Sequence, residues 1–304
     1  MGVKSRKSHN QYVVKLSTRK SWRFQTTELE YVKQVLDSGF GASETGTFCE
    51  KLENLFAEKH KQKYAIGCNS GTSTLHSALE AFGVSDRDEV IIPALTVAMC
   101  GYAVRQCGAT PVYADVQEDT FLMDPKDIRK KITPNTKAIM VVHLYGLMCN
   151  MEEIEQIAKK HDLYILEDCA QCFLAHDHRG VLAGTSGHVG SWSFENSKHL
   201  SCGDGGIITT NDPVLAKFIR QYAGVGFKNI TAESGKVRIS RDKFQNPTWK
   251  RHDILAHNYR LPEILIHIIL LLVCLMEKSM VLVGKNFEKN ILNLVVMAFM
   301  LRGS

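Results

Sequence analysis

The side chains with chemistry to offer fall in four short stretches. Glu167-Asp168 ends an apolar run with two adjacent carboxylates, and on a strand such neighbours point to opposite faces, so at most one faces a given pocket. Downstream, Ser191-Trp192-Ser193-Phe194-Glu195-Asn196-Ser197-Lys198-His199-Leu200 sets a lysine among hydroxyls, and the turn-rich Gly203-Asp204-Gly205-Gly206 follows. A lone lysine is usually a surface charge, and the spacing alone does not single out Lys198. Cys68-Asn69-Ser70-Gly71-Thr72-Ser73 places small residues and backbone N–H groups where a helix would start, which makes an anion cradle. A Ser/Thr cap needs no ligand, however. The stretch is neither a Walker loop nor a G-x-G-x-x-G turn, which speaks against ATP and dinucleotides. Cys169 and Cys172 form a C-x-x-C without a second pair at zinc spacing, so no metal site is expected.

The surrounding pattern must bring these stretches together. Leu29, Val32, Val35 and Leu36, then Phe48, Leu52, Leu55 and Phe56, recur at helical spacing, with Gly39 and Gly41 between them. Two helices framing a loop are expected. Short apolar runs then alternate with helical patterns: Tyr64 to Gly67 before Thr72 to Phe82, Glu89 to Ile92 before Val97 to Cys107, Pro111 to Ala114, Ala138 to His143 before Met151 to His161, and Tyr164 to Glu167. Ile207 to Thr210 reads as one more strand, and 227 to 249 as a long excursion. This alternation predicts an α/β fold, a mostly parallel sheet sandwiched by helices. Ligands of such sheets sit beyond the carboxyl ends of the strands, where Asn69 to Thr72, Pro93 to Thr96, His143 to Gly146 and Glu167 to Gln171 all fall.

A 304-residue chain with 44% hydrophobic and 23% charged residues has an ordinary globular composition. Nine cysteines show no repeating spacing, and the chain opens on a basic stretch rather than a secretory leader, so free thiols and a cytoplasmic location are expected. Seven of the 37 Lys/Arg lie in Met1 to Arg23 with no acid among them, leaving a body of 30 basic and 32 acidic residues. A solvated terminal arm is expected rather than a nucleic-acid-binding one. Ile264 to Met276, apolar except for His267, is too short to span a membrane, so no membrane partner is expected.

Taken in order, these stretches resemble the DegT/StrS-type sugar aminotransferases, enzymes of fold-type I that use pyridoxal 5'-phosphate (PLP). The resemblance begins near Trp22 and Glu28 and runs through Tyr64 to Leu75, Asp88 to Pro93 and Val142-His143-Leu144-Tyr145-Gly146. It continues through Glu167-Asp168-Cys169-Ala170-Gln171 and Ser193 to Gly206, and ends on Asn258-Tyr259-Arg260. It implies that Lys198 carries the cofactor as a Schiff base and then moves the proton between cofactor and substrate, a task open only to a primary amine. Related dehydratases have His at this position, so Lys198 argues for transamination. By the same resemblance Asp168 pairs with the pyridine nitrogen and keeps it protonated, with Glu167 pointing away. Gly71, Thr72 and Ser193 bind the phosphate, Gln171 lies near the ring hydroxyl, and Asn258 reaches the phosphate of the neighbouring subunit of a homodimer. Val97 stands where many relatives stack an aromatic residue on the ring.

The resemblance further implies an amino-acid donor, glutamate or glutamine, and a nucleotide-linked keto-sugar acceptor. The alternatives are a ketocyclitol acceptor, or a PLP-binding homologue without turnover. Three regions are expected: a basic arm over 1–24, a PLP-binding large domain over 25–255, and an incomplete C-terminal small domain over 256–304. Beyond Arg260 the family pattern survives only as Gly284-Lys285-Asn286, and the apolar runs Ile264 to Met276 and Ile291 to Leu301 replace the amphipathic helix expected there.

Overall fold

A computed structural model describes residues 26–39, 48–235 and 239–265. The basic arm, Gly41, Gly284-Lys285-Asn286, the apolar run from residue 266 onward and the run 291–301 lie outside the described residues. Among the described residues no helix is long and apolar enough to cross a membrane.

Two helices, α1 (Thr26–Asp37) and α2 (Phe48–Lys59), precede the sheet. The alternating core follows: β1 (Tyr64–Cys68), α3 (Gly71–Ala81), β2 (Glu89–Pro93), α4 (Met99–Gln106), β3 (Thr110–Ala114), α5 (Pro125–Lys131), β4 (Thr136–Val142), α6 (Met151–His161) and β5 (Tyr164–Asp168). Then come β6 (Val189–Ser193), β7 (Gly206–Thr210), α7 (Pro213–Ala223) and the short α8 (Arg241–Gln245). The seven strands lie in the order β1-β7-β6-β5-β4-β2-β3. β7 runs antiparallel to both β1 and β6, and the other pairings are parallel. The carboxyl ends of β1, β2, β4, β5 and β6 therefore share one edge of the sheet, as expected for this architecture.

Three helices start for reasons written in the chain. Asp124, Asn150 and Asp212 each accept a backbone N–H of the first turn, and Pro125 and Pro213 sit at first helical positions. Met151, Ile154, Ile157 and Ala158 form the buried stripe of α6. The central strands carry continuous apolar runs because helices cover both faces, and Val90, Ile91, Ala138, Ile139, Met140 and Val141 are fully buried.

A buried ion pair closes the β1 side. Arg220 on α7 meets Glu53 on α2, with Nη1 to Oε2 at 2.8 Å, and its Nη2 donates to the Ala65 carbonyl. Glu53 Oε1 also accepts the Gly67 N–H at 2.8 Å. α2, β1 and α7 are thereby joined beneath the loop that starts α3.

Candidate active site

The loop between β1 and α3 is built as an anion cradle. Ser70 caps α3, its hydroxyl accepting the Ser73 N–H while the Ser73 hydroxyl accepts the Ser70 N–H. Among the described residues neither the Gly71 nor the Thr72 N–H has an acceptor. Both lie at the positive end of a buried helix. Glycine is needed at 71, since a Cβ there would stand 2.7 Å from Ser193 Cβ and 3.0 Å from its Oγ. Gly206 is equally constrained, because its Cβ would meet the Ser70 carbonyl oxygen at 2.7 Å. These two glycines let the end of β6 and the start of α3 touch, which brings the Ser193 hydroxyl beside the helix N-terminus.

The adjacent carboxylates at the end of β5 divide as the strand alternation requires. Glu167, fully buried, accepts His143 Nε2 at 2.9 Å, the Gly184 N–H at 2.8 Å and the Gly187 N–H at 2.5 Å. The Cys149 N–H donates to His143 Nδ1, so the imidazole proton sits on Nε2, facing Glu167. Glu167 is thus consumed in holding the 184–187 loop. Asp168, also buried, faces the other way, and its Oδ1 accepts the Ala170 N–H at 2.9 Å. Burial pushes its carboxyl up, opposed by that N–H, by the Cys100 thiol on Oδ2, and by the charge of Lys198.

Lys198 lies half-buried in the turn after β6, its N–H donating to the Glu195 carbonyl. With Ala170 and Ser193 it lines one small cavity. Gln171 is fixed from the next strand end: its Oε1 accepts the Tyr145 N–H at 2.9 Å. Tyr145 adopts φ 55° and ψ 21° to make this contact, in the left-handed region that a tyrosine seldom occupies. Val97, 45% exposed, sits on the loop after β2 at the same sheet edge.

Asn258 is exposed, and its carbonyl accepts Asn69 Nδ2 while the Tyr259 carbonyl accepts the Asn69 N–H at 2.8 Å. His76 Nδ1 lies 3.1 Å from the Tyr259 hydroxyl. Asn258-Tyr259-Arg260 is therefore stitched to the start of the anion cradle of its own chain. Cys169 and Cys172 are buried, burial pushing the first thiol well up and the second to about 12, so both are neutral thiols. Sequence reasoning passed over Cys100 and the Glu53–Arg220 pair, and named Thr96 only as the end of the strand-end stretch Pro93 to Thr96. None of them carries a motif, and only the place of Cys100 in the helical pattern from Val97 to Cys107 hinted at burial.

Residues 23–273 match the DegT/DnrJ/EryC1/StrS aminotransferase family. The chain is 38% identical to the GDP-perosamine synthase of Escherichia coli O157:H7 over 237 residues, 78% of this chain and 60% of that enzyme. Among solved structures it resembles an aminotransferase from Psychrobacter cryohalolentis, with a TM-score of 0.75, 34% identity, and coverage of 84% of this chain and 63% of the other. NtdA from Bacillus subtilis, solved with bound cofactor PMP, aligns with a TM-score of 0.68 and 30% identity over 81% of this chain and 51% of its own. The chain thus spans less than two thirds of each of these proteins. It belongs to the DegT/DnrJ/EryC1/StrS aminotransferase family.

Proposed function

We propose that this protein is a PLP-dependent aminotransferase that moves an amino group from an amino acid, glutamate or glutamine, to the ketone of a nucleotide-linked sugar. The observation that carries this is the meeting, at one sheet edge, of a buried carboxylate, a half-buried lysine and an anion cradle closed by a serine hydroxyl. PLP offers a matching set of groups: a phosphate for the cradle, a basic ring nitrogen for the carboxylate and an aldehyde for the amine.

Bound there, PLP supplies a ring that absorbs the negative charge left when a substrate carbon loses its proton. The chain's own residues do the rest. The Gly71 and Thr72 N–H groups and the Ser193 hydroxyl bind the phosphate, with the α3 dipole favouring its charge. Asp168, kept from water by burial, holds a proton on the ring nitrogen, a charge-assisted contact that repays part of its desolvation. Gln171, whose Oε1 is occupied by Tyr145, is left to donate its amide N–H toward a ring oxygen. Val97 would cover one face of the ring. Lys198 would hold the cofactor covalently, and its Nζ, as a primary amine, would be the group that moves the proton between cofactor and substrate.

Similarity to GDP-perosamine synthase supports a nucleotide-linked acceptor, and the amino donor rests on the family resemblance. Exposed Leu95, Val97, Met99 and Tyr102 beside the site support burial against a second copy, with Asn258 reaching that copy's phosphate. Eight free cysteines among the described residues suit a cytoplasmic setting. We assign residues 25–255 to the cofactor-binding domain.

Borohydride reduction of the PLP-loaded protein followed by peptide mapping tests the assignment. The label is expected on Lys198, and glutamate is expected to bleach the visible absorbance. A label on another lysine, or no visible absorbance, overturns the reading. Parallel assays with a GDP-linked keto-sugar and a ketocyclitol decide the acceptor, and sedimentation with and without PLP decides the dimer.

A further inference from the structure

The carboxylate assigned to the ring nitrogen is gripped from behind by a chain of two side chains. Cys100, in the first turn of α4 and fully buried, places Sγ 3.5 Å from Asp168 Oδ2. The same sulfur lies 3.3 Å from Thr96 Oγ1. Valence sets the direction of both contacts. A carboxylate has no proton to give, so the thiol proton goes to Oδ2 and the Thr96 hydroxyl donates to the sulfur. Burial, and next the charge of Asp168, push the thiol well up, so it stays an S–H donor at every working pH.

Each carboxylate oxygen thereby has one donor from a different element, Oδ1 from the loop after β5 and Oδ2 from α4. The terminal torsion of an aspartate is broad and two-fold, and intrinsic preference alone would not fix the plane of the carboxylate. Two donors on separate elements do. A thiol is also a weak donor, so it orients Oδ2 while leaving most of that oxygen's proton affinity for another partner.

We propose that Cys100 is a positioning residue: the chain Thr96 to Cys100 to Asp168 holds the carboxylate at one angle toward the cofactor's ring nitrogen. The same chain ties that carboxylate to the loop that carries Val97. The group at the ring nitrogen and the group on the ring face are then set by one hydrogen-bonded unit. This rests on the PLP reading given above, but its first element, the thiol-to-carboxylate bond, is a property of the protein without cofactor.

The test has two arms. In the cofactor-free protein, infrared difference spectra of wild type against Cys100→Ala isolate the Cys100 S–H stretch, which is expected to move in Asp168→Asn. A band that ignores Asp168→Asn overturns the proposal whatever the cofactor does. In the second arm PLP is titrated into wild type, Cys100→Ala and Cys100→Ser. Losing one weak thiol hydrogen bond to the carboxylate is expected to weaken PLP binding by about 2- to 12-fold in Cys100→Ala and to shift the pH dependence of the bound-cofactor spectrum. Cys100→Ser, which restores a donor, is expected to recover both. Reduced thermal stability in Cys100→Ala with unchanged PLP affinity and spectrum overturns the positioning role, as a merely structural cysteine would behave that way. If the S–H band responds to Asp168→Asn but wild type binds no PLP, the cofactor reading fails, and the positioning role falls with it while the hydrogen bond stands.

Discussion

Replacing Gly71 by alanine tests whether the anion cradle depends on the close approach of α3 to β6. The added methyl would stand 2.7 Å from Ser193 Cβ and 3.3 Å from its Cα, well inside the roughly 3.5 to 4.0 Å at which carbon contacts are favourable. The clash involves backbone and Cβ, so no side-chain rotation relieves it, and overpacking of this kind costs about 1 to 3 kcal/mol. Gly71 has no positive φ, and alanine at a compatible position returns about 0.4 to 1 kcal/mol through the unfolded chain. The net loss of stability is therefore small, about 1 to 2 kcal/mol. PLP binding should suffer more, because relief requires Ser193 to move away from the helix N-terminus. Losing one hydrogen bond to a charged ligand costs about 1.5 to 3 kcal/mol, a factor of roughly 10 to 150 in affinity. Thermal unfolding of the cofactor-free protein measures the first effect, and PLP titration followed by absorbance measures the second. Ser193→Ala is the control, since it removes the hydroxyl without crowding; it should weaken PLP about tenfold and cost about 1 kcal/mol of stability or less through the lost acceptor of the Glu195 N–H. A Gly71→Ala protein with wild-type PLP affinity would refute the claim that this contact positions the cradle.

Asp168→Asn should still bind PLP but react with glutamate at least about a hundredfold more slowly, because an amide cannot keep the ring nitrogen protonated; stopped-flow absorbance measures this, and near-normal rates would mean another residue is the nitrogen's partner. Arg220→Met leaves the Glu53 charge buried and alone, and should cost about 3 to 5 kcal/mol in urea unfolding, whereas a loss below about 1 kcal/mol would show that water reaches the pair. His60, fully buried with its ring nitrogen 3.0 Å from the Phe56 carbonyl, has its pKa lowered by burial to about 4. Its folded value lies below the unfolded one, so its neutral form stabilises the fold fully above pH about 6.5, and that contribution is lost as pH falls toward 4, by about 3 kcal/mol in all. The stability of His60→Leu should change less over this window than that of wild type, and parallel curves would show that His60 takes up its proton as readily in the folded protein as in the unfolded chain.

The alternation of apolar runs and helical patterns determined the sheet-and-helix architecture from the sequence alone, because strands buried on both faces must be continuously apolar and the covering helices periodic. It also located the strand ends, the edge where sheets of this kind bind ligands, and strand alternation required Glu167 and Asp168 to face apart. β6 was not legible, since Val189–Ser193 mixes a glycine and two serines with its apolar residues and has no period of its own. The sheet order, with β7 reversed between β1 and β6, was decided by long-range pairing that local pattern does not encode. The same holds for the site. Lys198 was recognisable only through the ordered set of stretches that it resembles, since a lysine among polar residues looks like any surface charge. The contact of Gly71 with Ser193, the left-handed Tyr145 that fixes Gln171, and the thiol of Cys100 behind Asp168 exist only once distant strand ends share an edge. Local propensity acts over a few residues, whereas these contacts join groups far apart in the chain, so packing alone selects them.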